Sequence, residues 1–140
     1  MRLIPYCRVY ENWAPVAGRV IFGLLFLMGA SFKIPGTQGF IMEVGMTAAA
    51  GFPFATVAVF LAFLIEVIAG VSLIIGWQTR RAACVLAALT FILALVFYHN
   101  FADQMQMGMF VSHMGLIAGL LYISVYGAQH VAARKDVLPS

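Results

Sequence analysis

The stretch Phe54–Arg81, FATVAVFLAFLIEVIAGVSLIIGWQTRR, decides the fold, because it is a long apolar run with one carboxylate inside it. The part from Phe54 to Trp77 has 24 residues and a single ionisable side chain, Glu66. At about 1.5 Å per residue this helix would be about 36 Å long, which is enough to cross a hydrocarbon core of about 30 Å. We therefore predict a membrane span with Glu66 near its midpoint.

The two faces of this predicted helix carry different side chains. One face has large aliphatic residues at three- and four-residue steps, namely Val57, Leu61, Leu64, Ile68, Val71 and Ile75. The opposite face has small residues around Glu66, namely Ala55, Ala58, Ala62, Ala69 and Gly70. Large aliphatic side chains suit lipid, whereas small ones let helices approach closely. We expect Glu66 to point into a helix bundle, where a carboxylate has to be neutral, paired or hydrated.

The composition of the whole chain is that of an integral membrane protein. Of its 140 residues, 64% are hydrophobic and 9% are charged, against about a quarter charged in a soluble domain. We predict an all-α, integral membrane four-helix bundle that forms a single domain over residues 1–140. The predicted spans are residues 16–34, 54–77, 82–99 and 109–126, antiparallel between neighbours because the connections are short.

The positive charges predict the orientation in the membrane. Four spans place seven of the eight basic residues on one side and Lys33 on the other, the seven being Arg2, Arg8, Arg19, Arg80, Arg81, Arg134 and Lys135. The positive-inside rule then predicts that both termini are cytoplasmic, in a multi-pass protein of the inner membrane. This topology accounts for the net charge of +3, so no nucleic-acid partner is expected.

Other parts of the chain give further expectations. Residues 1–15 have the Arg, Tyr and Trp residues of an interfacial segment and no cleavable signal pattern. Thr37 is placed to cap a short helix against the outer surface, and Gly115 and Gly119 form a close-packing GxxxG pair. Cys7 and Cys84 do not form a CxxC motif, which favours packing over dithiol chemistry.

The order of several residues resembles the DoxX family of small four-helix membrane proteins. The pattern consists of Gly18-Arg19, Gly29, Lys33, Gly39-Phe40, Gly51-Phe52-Pro53, Glu66, Gly70, Gly76, Thr79-Arg80, Ala82-Ala83 and His99-Asn100-Phe101. The fourth span departs from it, because Ser112-His113 stands where the family often has Lys-Asn. The resemblance implies a membrane subunit associated with quinone-linked oxidoreductases or with soluble redox enzymes.

Two polar groups are candidate sites within the membrane. Glu66 is expected to pair with Arg19 across an axial gap of about 10 Å, either as a structural ion pair or as a proton carrier. The second group is a candidate quinone pocket of Lys33, Glu66, Tyr98, His99 and His113 near the outer leaflet. Its histidines would hydrogen-bond a quinone carbonyl, or would simply face headgroups and water.

A methionine-rich run offers a weaker alternative. Met105, Met107 and Met109 precede His113, and thioethers with imidazole suit Cu(I). Alternation by two brings these methionines together only if the loop is extended. The other interpretation is that flexible Met side chains cover an apolar loop.

These observations leave three functions open. The first is a redox-associated membrane subunit that interacts with quinone or a redox partner, as part of a quinone-linked oxidoreductase. The second is a non-catalytic scaffold or assembly partner, and the third is a small-molecule or copper transporter. No covalently bound cofactor is expected, and the expected partners are membrane lipids, quinone, a redox protein and a second copy of the chain.

Overall fold

The computed structural model describes residues 5–127, with side chains from Trp13 onward. Its helices are α1 (Pro5–Ser31), α2 (Gln38–Ala49), α3 (Ala55–Ile75), α4 (Thr79–Phe97) and α5 (Gln104–Tyr126). Four of them are long and apolar enough to span a membrane: Trp13–Ser31 of α1, and α3, α4 and α5. The predicted all-α fold with four membrane spans is confirmed, and the cytoplasmic location of the termini stays a prediction. The predictions for Cys7 and for the basic residues at positions 2, 8, 134 and 135 concern residues whose side chains are outside the described part of the chain.

The four spans are arranged around α3. This helix packs extensively against α1 and also against α4, while α5 packs extensively against α4 and makes a smaller contact with α1. The buried apolar core lies where α3, α4 and α5 meet, and consists of Ala69, Leu73, Ala82, Ala83, Leu86, Ala87 and Leu120. Four of these seven residues are alanines, so the helix backbones approach closely, as the interiors of membrane bundles require.

The two predicted faces of α3 are confirmed. Glu66 is 3% exposed, and its neighbours on that face Ala55, Ala62, Ala69 and Gly70 are buried too. The large aliphatics of the other face are exposed on the bundle surface, from Leu64 at 36% to Ile68 at 62%. The surface that faces the acyl chains is therefore aliphatic, and the carboxylate is turned away from it.

A close contact between two glycines sets the register of α1 against α3. A Cβ added to Gly23 would lie 2.7 Å from the carbonyl oxygen of Gly70, and one added to Gly70 would lie 3.1 Å from that of Gly23. Because the helices are antiparallel, Ser31 then lies near the level of Ala62. Helix α3 begins at Ala55, so at this end of the bundle it extends about 10 Å beyond the last residue of α1.

Helix α2 occupies the space that the short end of α1 leaves beside α3. Thr37 caps it as predicted, since its hydroxyl accepts a hydrogen bond from the Phe40 amide at 3.3 Å. Thr47, which lies two turns after Phe40, is buried. Helix α2 was predicted to lie against the outer surface, and it also packs against α3. This helix brings Glu43 to the interior of the bundle end.

Several helix ends differ from the predictions for physical reasons. Helix α4 begins at Thr79 instead of residue 82, because Gly76 and Gln78 adopt positive φ angles of 77° and 45° and complete the turn before it. Helix α5 begins at Gln104 instead of residue 109, because the Asp103 carboxylate accepts a hydrogen bond from the Met105 amide at 2.9 Å. The polar residues that suggested a loop form the first turn of a capped helix.

The predicted GxxxG contact is only half right. A Cβ at Gly119 would collide with the Phe22 ring of α1, so this glycine does allow close packing. Gly115 is exposed and has no heavy atom within 4 Å of such a Cβ. Cys84 is also exposed, on the surface of α4, and so does not pack into the interior of the bundle.

Candidate functional site

An ion pair between Lys33 and Glu66 is the centre of the polar interior. The Lys33 ammonium donates to both carboxylate oxygens of Glu66, each at 3.0 Å. Lys33 is 8% exposed and Glu66 is 3% exposed. Lys33 follows the last residue of α1 by two positions, whereas Glu66 lies halfway along α3. The contact therefore ties the end of one span to the middle of another.

Glu66 was predicted to pair with Arg19, whereas the structure shows its carboxylate bound by Lys33. Arg19 is 3% exposed and shares the buried face of α1 with Gly23 and Ala30. The glycine contact places Arg19 at a level about 12 Å from Glu66 along α3, farther than the sequence suggested. Lys33 is nearer, and the chain is no longer helical there, so its side chain can turn toward the carboxylate.

Glu43 of α2 adds a second carboxylate to this cluster. Its Oε1 atom is 3.6 Å from the Lys33 ammonium, and its side chain is 24% exposed. With both carboxylates ionised, Lys33, Glu43 and Glu66 together carry a formal charge of −1. In a medium of low dielectric constant, an added proton would neutralise this excess charge, and a hydrogen-bond donor would stabilise it.

A cavity of about 280 Å³ lies against this cluster. Its polar lining consists of Lys33, Glu43, Glu66, Thr90, Tyr98 and His113. The remaining lining is apolar and comes from α1, α4 and α5: Leu25, Phe26, Gly29, Leu93, Phe97 and Leu116. We call this cavity the polar chamber. Apolar walls with a few convergent polar groups are typical of small-molecule sites.

Tyr98 and His113 contribute a pair of contacting rings to the lining of the chamber. Their ring centroids are 4.9 Å apart with the planes tilted by 52°. Nδ1 of His113 lies 2.8 Å from the Met109 carbonyl oxygen, which can only accept, so Nδ1 carries a proton. Nε2 is then the acceptor in the neutral ring and a donor in the imidazolium. His113 can thus accept a hydrogen bond from a hydroxyl, or donate one to a carbonyl after protonation.

His99 does not line the polar chamber. It lies just beyond the end of α4, is exposed, and contacts the Val96 carbonyl oxygen through Nδ1 at 3.1 Å. Of the five residues predicted for the quinone pocket, Lys33, Glu66, Tyr98 and His113 line one cavity and His99 does not.

The methionines do not form the extended run that a copper site required. Met105, Met107 and Met109 lie on the first turns of α5, at 73%, 50% and 42% exposure. Positions two apart on a helix point about 200° apart, so Met107 faces away from Met105 and Met109, and the three thioethers do not converge. Among the described residues, no group of three or more His, Cys, Asp and Glu side chains is placed to hold a metal ion.

Two residues of the chamber were missed in the sequence. The inward position of Glu43 follows from its spacing to Thr47. The two residues are one turn apart and lie on the face of α2 that meets α3. Thr90 lies in α4, and its hydroxyl donates to the Leu86 carbonyl at 2.7 Å. A lone carboxylate in a short amphipathic helix between two spans was the available signal for Glu43.

Comparison with known proteins agrees with this architecture. The DoxX family model matches residues 14–100, so the chain belongs to the DoxX family. It is similar to the inner membrane protein YqjF of Escherichia coli strain K12, with 26% identity over 117 residues, which are 84% of this chain and 86% of that protein. No solved structure matches the chain significantly. The family, the relative and the four apolar helices identify a multi-pass protein of the inner membrane.

Proposed function

We propose that this DoxX-family membrane protein binds the headgroup of a quinone in its polar chamber and acts as a subunit of a redox system. The observation that carries the proposal is the joint placement of Lys33, Glu66, Tyr98 and His113 around one cavity inside the bundle. Each of these side chains can donate or accept a proton or hydrogen bond, and the other walls are apolar. A quinone has the same division, with two carbonyl oxygens on an apolar ring.

Two groups of contacting polar side chains are available to the two oxygens of such a ring. The Lys33 ammonium contacts both carboxylates, and the Tyr98 and His113 rings contact each other, all in the lining of the same chamber. A quinone in this chamber would hydrogen-bond one oxygen to Lys33 and the other to the phenol or imidazole. Charged groups inside a membrane are costly and are usually retained for function, which favours a ligand or proton role.

Reduction of a quinone to a quinol consumes two electrons and two protons. The protons would reach the ring oxygens through His113 and the lysine–carboxylate cluster, whose groups can exchange them. The electrons would come from a redox protein bound to this subunit. The family resemblance supports this redox partner, and the geometry supports only the binding of the headgroup.

Binding of a short-chain ubiquinone or menaquinone analogue to the purified protein in lipid nanodiscs tests the proposal. We expect saturable binding near one molecule per chain, measured by equilibrium dialysis, and weaker binding in Tyr98→Phe. His99→Ala is the matched control, because His99 lies outside the chamber. Absence of saturable binding, or equal affinities in all three proteins, would overturn the proposal.

The buried ion pair also favours a second function, as a scaffold for assembly of a membrane complex. The Lys33–Glu66 contact fixes the relative position of two spans whether or not a ligand is present. In that case Glu66→Gln would lower stability and reduce co-purification of the partner enzyme. A scaffold would have no specific quinone affinity in either the original protein or the Glu66→Gln variant, and this result separates the two functions.

A further inference from the structure

A second cavity, of about 190 Å³, lies beside the polar chamber between α2, α3 and α4. Its walls are almost wholly apolar and include Ala58, Val59, Leu89 and Val96. We call it the apolar chamber. Its two polar wall residues are Glu43 and Thr47, and the Thr47 hydroxyl donates to the Glu43 carbonyl at 2.7 Å.

The two chambers share a wall. Glu43, Leu93 and Phe97 line both the apolar chamber and the polar chamber. The far side of the apolar chamber reaches the surface of the bundle, since Phe52 and Ile92 in its lining are 40% and 50% exposed. A molecule in the polar chamber would therefore have a neighbouring apolar space that leads toward the acyl chains of the bilayer.

We propose that the apolar chamber holds the hydrocarbon tail of the same ligand whose ring occupies the polar chamber. The inference rests on the proposed function and specifies its ligand class as a quinone with a prenyl tail attached directly to the ring. An apolar cavity does not retain water, so a hydrocarbon is the occupant that suits it. Because Glu43, Leu93 and Phe97 line both cavities, the first carbons of the tail would pass between these side chains.

The tail is expected to determine position more than affinity. Outside the protein the tail lies among lipid chains, which are as apolar as the chamber walls, so transfer into the chamber gains little hydrophobic free energy. The experiment must therefore locate the tail instead of comparing affinities of long- and short-tailed ligands.

The test uses a quinone analogue with a diazirine on the first carbons of a prenyl tail, photolysed with the protein in nanodiscs. We expect the label on α2, the first half of α3 and the second half of α4. A headgroup-only quinone added in excess should reduce this labelling at least about fivefold. Labelled peptides are identified by mass spectrometry.

Two variants that fill the chamber have neighbours in the sequence as controls. Ala58→Phe and Val96→Phe add a ring to the lining, from α3 and α4 respectively. If one of these variants does not fold, the other still tests the position of the tail. Val57→Phe and Leu95→Phe add the same ring at the exposed surface, where these residues are 56% and 49% exposed. Only the first pair should lose the localised label, while all four should keep binding of the headgroup-only quinone.

The outcomes separate this inference from the function on which it rests. Saturable headgroup binding with label spread evenly over the lipid-facing surface, or localised label that persists in both chamber variants, would overturn the tail position and leave the proposed function standing. No saturable headgroup binding would overturn both.

Discussion

The Lys33 ammonium lies 3.0 Å from both carboxylate oxygens of Glu66, although the two residues are 33 positions apart in the chain. This contact joins the end of α1 to the middle of α3, and Glu43 extends it to α2. One lysine thus connects three of the five helices found in residues 5–127. The chamber that the proposed ligand occupies is built around it.

Removal of one member of the ion pair should destabilise the protein. We expect Lys33→Met to lower the free energy of unfolding by about 3–5 kcal/mol, because Glu66 would remain buried without its cation. The double variant Lys33→Met with Glu66→Leu should recover most of this loss, since neither charge remains. Denaturant titration in detergent measures all three proteins. A double variant no more stable than Lys33→Met would contradict this account, because removing the unpaired carboxylate should restore stability.

The glycine contact between α1 and α3 predicts a position-specific effect. Gly23→Leu should cost at least about 1–3 kcal/mol, because any Cβ would overlap the Gly70 carbonyl and the Ile74 side chain. Gly115→Leu is the matched control on α5, where a Cβ would meet nothing within 4 Å. Thermal unfolding of the two variants should show a loss in the first and little change in the second. Similar stabilities would contradict the register derived for α1 and α3.

The first turn of α5 should depend on Asp103. Asp103→Ala removes the acceptor for the Met105 amide and should cost about 1 kcal/mol, while Asp103→Asn should cost much less. Hydrogen exchange at residues 104–107 checks this locally. Unchanged protection in Asp103→Ala would indicate that the helix starts elsewhere.

The two histidines near this end of the bundle should differ in their effect on quinone binding. His113→Ala should weaken binding of a short-chain quinone by about 2- to 10-fold, the range for loss of one hydrogen bond. His99→Ala should leave it unchanged, because His99 does not line the polar chamber. Equilibrium dialysis gives both affinities, and a larger loss in His99→Ala would place the ligand elsewhere.

The sequence was sufficient to predict α3, because periodicity alone separates its two faces. A membrane helix with aliphatic residues at three- and four-residue steps and small residues around one carboxylate has a defined inner side. Burial of Glu66 and exposure of Ile68 follow from that pattern. The number of spans follows in the same way, from length and hydropathy.

The partner of Glu66 could not be predicted, because it depends on the register between helices. The register is set by the contact of Gly23 with Gly70, and the pattern along one helix contains no information on which glycines meet. The early end of α1 matters equally, since it frees Lys33 to turn inward. Spacing along the chain gave Arg19 and Lys33 the same face and could not choose between them.

The lysine–glutamate contact also constrains the order in which the chain assembles in the bilayer. A lone charged side chain at the centre of a membrane helix costs about 2.5–3.5 kcal/mol on insertion scales. Lys33 and Glu66 neutralise each other, which removes much of this cost for Glu66. While α3 is still outside the bilayer, Lys33 lacks the buried carboxylate of Glu66 and has only the partly exposed Glu43 as a counter-ion. Insertion of the first two spans is therefore favoured as a coupled event, with the hairpin of α4 and α5 completing a pair already joined by its opposite charges.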